Sequence, residues 1–124
     1  MSIFTHVTVG ASDLERARKF YDQVLEPLGL KRIRDIERGS GWGVDRPEFF
    51  ILRPLDGKPA TAGNGVTVSF AAKSPEAVDA FYRRALELGG KDEGAPGPRA
   101  FAPNAYAAYV RDPEGNKLAV IHYA

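Results

Sequence analysis

Apolar residues along the chain follow two different spacings in turn. Between positions 14 and 28, Leu14, Ala17, Phe20, Tyr21, Val24, Leu25 and Leu28 recur at steps of three and four. That period predicts one amphipathic helix. Ser12 is its expected N-cap with Glu15 three residues on, and Pro27 and Gly29 close it. Val78, Phe81, Tyr82, Ala85 and Leu86 repeat the stripe, opened by Ser74-Pro75-Glu76 and ended by Gly89-Gly90. Around these helices lie short runs rich in β-branched and aromatic residues: IFTHVTV (3–9), LKRIRDIER, GWGV and EFFILRP before residue 55, then GVTVSFAA, AYAAYVR and KLAVIHY. Each reads as a strand. DGKPATAGNG (56–65) has the composition of a hinge, GAPGPRAFAPN (94–104) that of a long loop, and DPEG that of a tight turn with Gly115 at positive φ.

The two helices match in one register. Displaced by 61 residues, Ala11 meets Ala72, Glu15 meets Glu76, Phe20-Tyr21 meets Phe81-Tyr82, Leu25 meets Leu86 and Gly29 meets Gly90. The strands before them align as well. The expected fold class is therefore α+β, with two βαβββ modules related by a pseudo-two-fold. They make one domain over residues 1–124, module 1 about 1–55 and module 2 about 65–124.

In such a module the helix covers one face of the sheet and leaves the other open. Strand alternation assigns side chains to faces. Val7 and Val9 are expected under the first helix, with Phe4, His6 and Thr8 on the open face. In the matching strand Val66, Val68 and Phe70 go under the helix, while Thr67 and Ser69 stay open. The open set is read as Phe49, Ile51 and Arg53 in EFFILRP, and as Lys117, Ala119, Ile121 and Tyr123 in KLAVIHY. Two open faces curved together make a concave half-barrel, the expected binding cleft.

Composition narrows the function. Seventeen Lys and Arg against sixteen Asp and Glu leave a net charge of +1, which gives no field for nucleic acid or an anionic membrane. There is no cysteine, which removes thiolate chemistry and fits a cytoplasmic location. MSIFTHVTVG has no cationic leader and no apolar run reaches a bilayer's thickness, so neither a signal peptide nor a membrane span is expected.

The pattern HVTV…FY…VLEPLGL, then GVTVSF…SPEAVDAFY…ALELGG, then APNAYAAYVRDPEGNKLAV resembles the vicinal oxygen chelate superfamily. That group holds glyoxalases, extradiol dioxygenases and fosfomycin- and bleomycin-resistance proteins. The resemblance spans nearly the whole chain, and the D-P-E-G-N-K-L segment is its most specific piece. It implies a half-barrel of paired βαβββ modules, a homodimer, and a divalent metal held by one residue from the first and last strands of each module. Carried onto this chain those positions are His6, Ile51, Thr67 and Ala119, where family enzymes often have His at the third and Glu at the fourth. Only His6 is retained.

A catalytic site for a divalent transition metal needs about three protein ligands around an open position. One imidazole, a threonine hydroxyl, an isoleucine and an alanine do not supply them. His122 falls on the other face of its strand from Ala119. The expected function is therefore binding of a small hydrophobic or aromatic molecule without a cofactor, in a cleft lined by His6, Trp42, Phe49, Ile51, Thr67, Phe101, Tyr106, Ala119 and Ile121. No catalytic residue is assigned. The alternatives are a metal-dependent lyase, isomerase or dioxygenase with substituted ligands, and a dimeric scaffold with a vestigial cleft. His6 also reads as a strand histidine bonded to a neighbour, and Trp42 as a dimer contact.

Overall fold

The computed structural model describes residues 2–124. Module 1 runs β1 (Val7–Gly10), α1 (Leu14–Val24), a 3₁₀ turn (Glu26–Leu28), β2 (Lys31–Ile36), β3 (Gly39–Gly43) and β4 (Pro47–Leu52). Module 2 runs β5 (Val68–Ala71), α2 (Pro75–Glu87), β6 (Lys91–Pro98), β7 (Ala105–Arg111) and β8 (Lys117–Tyr123). The sheets have the same order, β1-β4-β3-β2 and β5-β8-β7-β6. In each, the first strand pairs parallel with the last and the others pair antiparallel. The repeat is thus real at the level of register: Val7 pairs with Phe49 and Val68, 61 residues on, pairs with Leu118.

Local chemistry explains most element ends. Ser74 caps α2, its Oγ accepting from the Ala77 N–H at 3.1 Å, with Pro75 as the first helical residue. The α1 cap differs from the expected one by a residue. Asp13 takes the position, its Oδ1 accepting from Arg16 N–H at 3.0 Å. Ser12 instead accepts from the Ala60 N–H at 2.7 Å and fixes the inter-module linker. β1 and β5 are shorter than the runs that predicted them, and Val66 stands exposed before β5. β6, by contrast, extends through Gly94 and Gly97 by two register shifts into what reads as loop.

The modules meet through helices. α1 packs on α2, and α2 also packs on the 3₁₀ turn. Arg84 on α2 donates to the Gln23 carbonyl at 2.9 Å and to Glu26 at 2.6 Å. Phe20, Tyr21 and Val24 from α1 share one buried core with Val78, Phe81 and Ala85 from α2. The turn between β7 and β8 completes the join. Its Glu114 carboxylate accepts from the Ser12 and Asp13 N–H groups at 2.8 and 2.9 Å. Asn116 Nδ2 donates to the Gly10 carbonyl at 3.0 Å, and the Tyr21 hydroxyl donates to Asp112 at 2.6 Å. The D-P-E-G-N segment is therefore the clasp of the fold, with Gly115 at φ 99° supplying the left-handed turn.

Candidate functional site

The register of β4 decides which residues can reach an open face. Trp42 pairs with Phe49, and Val7 pairs with Phe49. Directly paired residues share a face. Tyr21 on α1 packs against both Trp42 and Phe49, with ring centroids 5.7 and 4.9 Å away. Phe49 is 4% exposed and Ile51 0%. The helix face is theirs, not the open face to which alternation assigned Phe49 and Ile51. Phe50 points the other way and meets the His6 ring edge-on at 5.2 Å.

This shift corrects the set of family positions. With Val7 equivalent to Val68, Phe49 is equivalent to Leu118 and Phe50 to Ala119. In this register the positions that the resemblance implies fall on His6, Phe50, Thr67 and Ala119. His6 and Thr67 are exposed just ahead of β1 and β5. His6 Nδ1 lies 3.0 Å from Thr5 Oγ1. Ala119 is buried, paired with Ser69 on one side and Tyr109 on the other. Two carbon-only side chains, one hydroxyl and one imidazole do not fit a divalent metal. Among the described residues no three His, Cys, Asp or Glu side chains are grouped so that they could hold one.

The remaining expected residues scatter. Ile121 lies on the open face of sheet 2, paired with Ala107 and Ala71. Phe101 stands in the β6–β7 loop, 54% exposed. Tyr106 belongs to the helix side: its hydroxyl donates to Asp79 of α2 at 2.7 Å. That bond, with partial burial, raises its pKa. His122 also faces that side, with Nδ1 3.0 Å from the Ala72 carbonyl. Neither Phe101 nor Tyr106 joins His6 or Ala119.

What the chain does build is a mainly apolar cavity of about 240 Å³ at the seam of the modules, walled by Val7, Leu30, Trp42, Phe49, Val68 and Phe70, with Glu48 and Ser69 as its polar side chains. Phe49 and Phe70 meet edge-on across the seam with centroids 5.1 Å apart. The indole N–H of Trp42 donates to Asp22 at 3.0 Å, which fixes the ring and leaves its apolar body as wall. Of the expected cleft residues, only Trp42 and Phe49 line it. Phe70 was read as core, and alternation could not reveal that it flanks a gap between sheets.

The Glyoxalase/Bleomycin resistance protein/Dioxygenase superfamily model matches residues 3–120. The chain belongs to this superfamily. A glyoxalase/bleomycin resistance protein from Albidiferax ferrireducens T118 is 42% identical, with 99% of this chain and 100% of that one covered and a TM-score of 0.91. More distant likenesses show the fold alone. One is a lactoylglutathione lyase from Agrobacterium tumefaciens, at 22% identity over 98% of this chain and 94% of that one, TM-score 0.68. Another is the fosfomycin resistance protein FosX from Mesorhizobium loti, at 17% identity over 100% and 94%, TM-score 0.69. Comparison with curated proteins gives no match. Among the described residues no helix is long and apolar enough to cross a membrane.

Proposed function

We propose that this superfamily member works by binding, without a metal, and that it holds a compact hydrophobic or aromatic compound in the seam cavity. The observation that carries the reading is a pairing of two facts. The ligand positions that the resemblance implies hold His6, Phe50, Thr67 and Ala119, while the half-open cavity at the seam is walled by Trp42, Phe49 and Phe70. Aromatic walls with few polar groups favour a ligand recognised by stacking and apolar area. The protein acts as a homodimer in this reading. Phe4 and Tyr123 are 60% and 55% exposed, and Ile36 on the edge strand β2 is exposed too, which is apolar surface for a second copy to cover.

Trp42 is the chain's only tryptophan and lies in the cavity wall, so its fluorescence reports occupancy. Titration with a panel of single-ring and fused-ring aromatics is expected to give a saturable change for at least one compound. Val68→Phe, which fills the space, is expected to abolish it while the circular dichroism stays native. No saturable response across the panel, or one indifferent to Val68→Phe, contradicts the reading.

A second reading is a metal-dependent lyase, isomerase or dioxygenase using substituted ligands. One observation favours it: His6 is exposed, and its Nε2 has no partner among the described residues. Metal retained in proportion to protein, and lost in His6→Ala, is the result that selects it.

A further inference from the structure

On the open face of sheet 2, the geometry points to an anion-binding site built on Arg99, Lys117 and Tyr109, which we infer takes a small organic carboxylate. Tyr109 pairs with Ala119, so its ring stands on the face opposite the buried Leu118 and Val120. The Arg99 guanidinium carbon and the Lys117 ammonium both lie over that ring, each 5.4 Å from its centroid. Of the neighbouring positions on the face, Ala107 and Ala119 put no bulk beside the ring, and Arg111 lies two residues on.

Arg99 is held still before any ligand arrives. Its Nη1 donates to the Gly97 and Pro98 carbonyls at 2.9 and 3.1 Å, and its Nη2 to Ala95 at 2.7 Å. The bulged end of β6 is shaped around it. A Cβ on Gly94 would lie 3.2 Å from the Tyr109 ring and 3.3 Å from Arg99 Nη2, so a side chain there would push both aside by a few tenths of an ångström. A guanidinium has five N–H donors in a fixed fork. Three are used here, which leaves Nε–H and one Nη2 hydrogen, and Arg99 has no carboxylate within ion-pair distance among the described residues.

The local charge is out of balance. Glu93 is the carboxylate paired with this group, and it serves Arg111 at 3.2 Å before Lys117 at 4.0 Å. Arg99, Arg111 and Lys117 against Glu93 leave a surplus of positive charge in a domain that is otherwise nearly neutral. A fixed fork, a second cation and an aromatic floor together suit a planar carboxylate.

The test is a titration of the ¹⁵N-labelled full chain with benzoate, and with benzyl alcohol as its neutral counterpart, followed by NMR. Benzoate is expected to shift the Arg99 side-chain Nε–H and the amides of Tyr109, Lys117 and Ala119, whereas benzyl alcohol leaves them in place. Arg99→Lys keeps the charge and loses the fork, and is expected to weaken benzoate about tenfold. Glu93→Gln keeps the side chain's shape and is expected to tighten it severalfold by removing the competing carboxylate. Equal shifts with benzyl alcohol, or benzoate affinity unchanged in both variants, overturn the proposal. The seam cavity is read separately through Trp42, so either site can fail alone.

Discussion

Tyr21 is fully buried, and its hydroxyl donates to Asp112 at 2.6 Å. The same carboxylate accepts from the Glu114 and Asn116 N–H groups at 3.0 and 2.8 Å and from Asn116 Nδ2 at 3.0 Å. Burial first, and the Asp112 charge second, push the Tyr21 pKa well above its ordinary 10. A raised pKa means that above pH 10 the unfolded chain gives up this proton and the folded one keeps it. The stabilisation is therefore complete below pH 10 and is lost as pH climbs toward the folded-state value. Denaturant unfolding across pH 8–11 is expected to show a steeper alkaline loss of stability in the native protein than in Tyr21→Phe. At pH 7, Tyr21→Phe is expected to cost about 1–3 kcal/mol, because it strips a partner from a buried carboxylate. An unaltered alkaline profile in the variant sinks this account of Tyr21. Single residues also mark where sequence reading failed. Phe49-Phe50-Ile51 is an unbroken apolar run, and a period of two has no phase in such a run. Only pairing with Val7 and contact with Tyr21 set it.

At the scale of elements, the helices and most strands were legible because their apolar stripes are clean and their ends carry strong signals. The α1 cap was misplaced by one residue since Ser12 and Asp13 are equally good caps in isolation, and a long-range bond from Ala60 claims the serine. The β7–β8 turn was legible as a turn but not as a clasp, because its partners lie about a hundred residues away. Glu114, with only 8% of its side chain exposed, places a carboxylate on the Ser12 and Asp13 N–H groups just ahead of α1, where the helix dipole also favours it. Glu114→Gln keeps the shape and loses the charge, and is expected to lower stability by about 0.5–2 kcal/mol. Thermal unfolding of the variant checks this. Gly115→Ala adds a Cβ at φ 99° and is expected to cost about 1–2 kcal/mol at the same turn. A variant at either position as stable as the native chain shows that the clasp is incidental.

For the whole molecule, the duplicated architecture could be read from a 61-residue shift, and the family model and the 42% identical structure agree with it. The open face of β8 was also legible, because Ala119 lies in a strand whose phase is fixed by its ends. The seam cavity was not legible, since it depends on how helices join the modules rather than on any strand's own pattern. Dimerisation is testable at this scale. Sedimentation equilibrium is expected to give twice the 13.5 kDa chain mass, and a single-chain mass at all concentrations contradicts it. We propose that the superfamily fold persists here with donor atoms missing from the positions at which its metal-dependent members would hold an ion. The most direct test is elemental analysis of the protein isolated without chelator from cells grown in zinc-, nickel-, iron- and manganese-supplemented medium. The account predicts far less than one metal ion per chain, unchanged in His6→Ala; about one ion per chain, lost on that substitution, would contradict it.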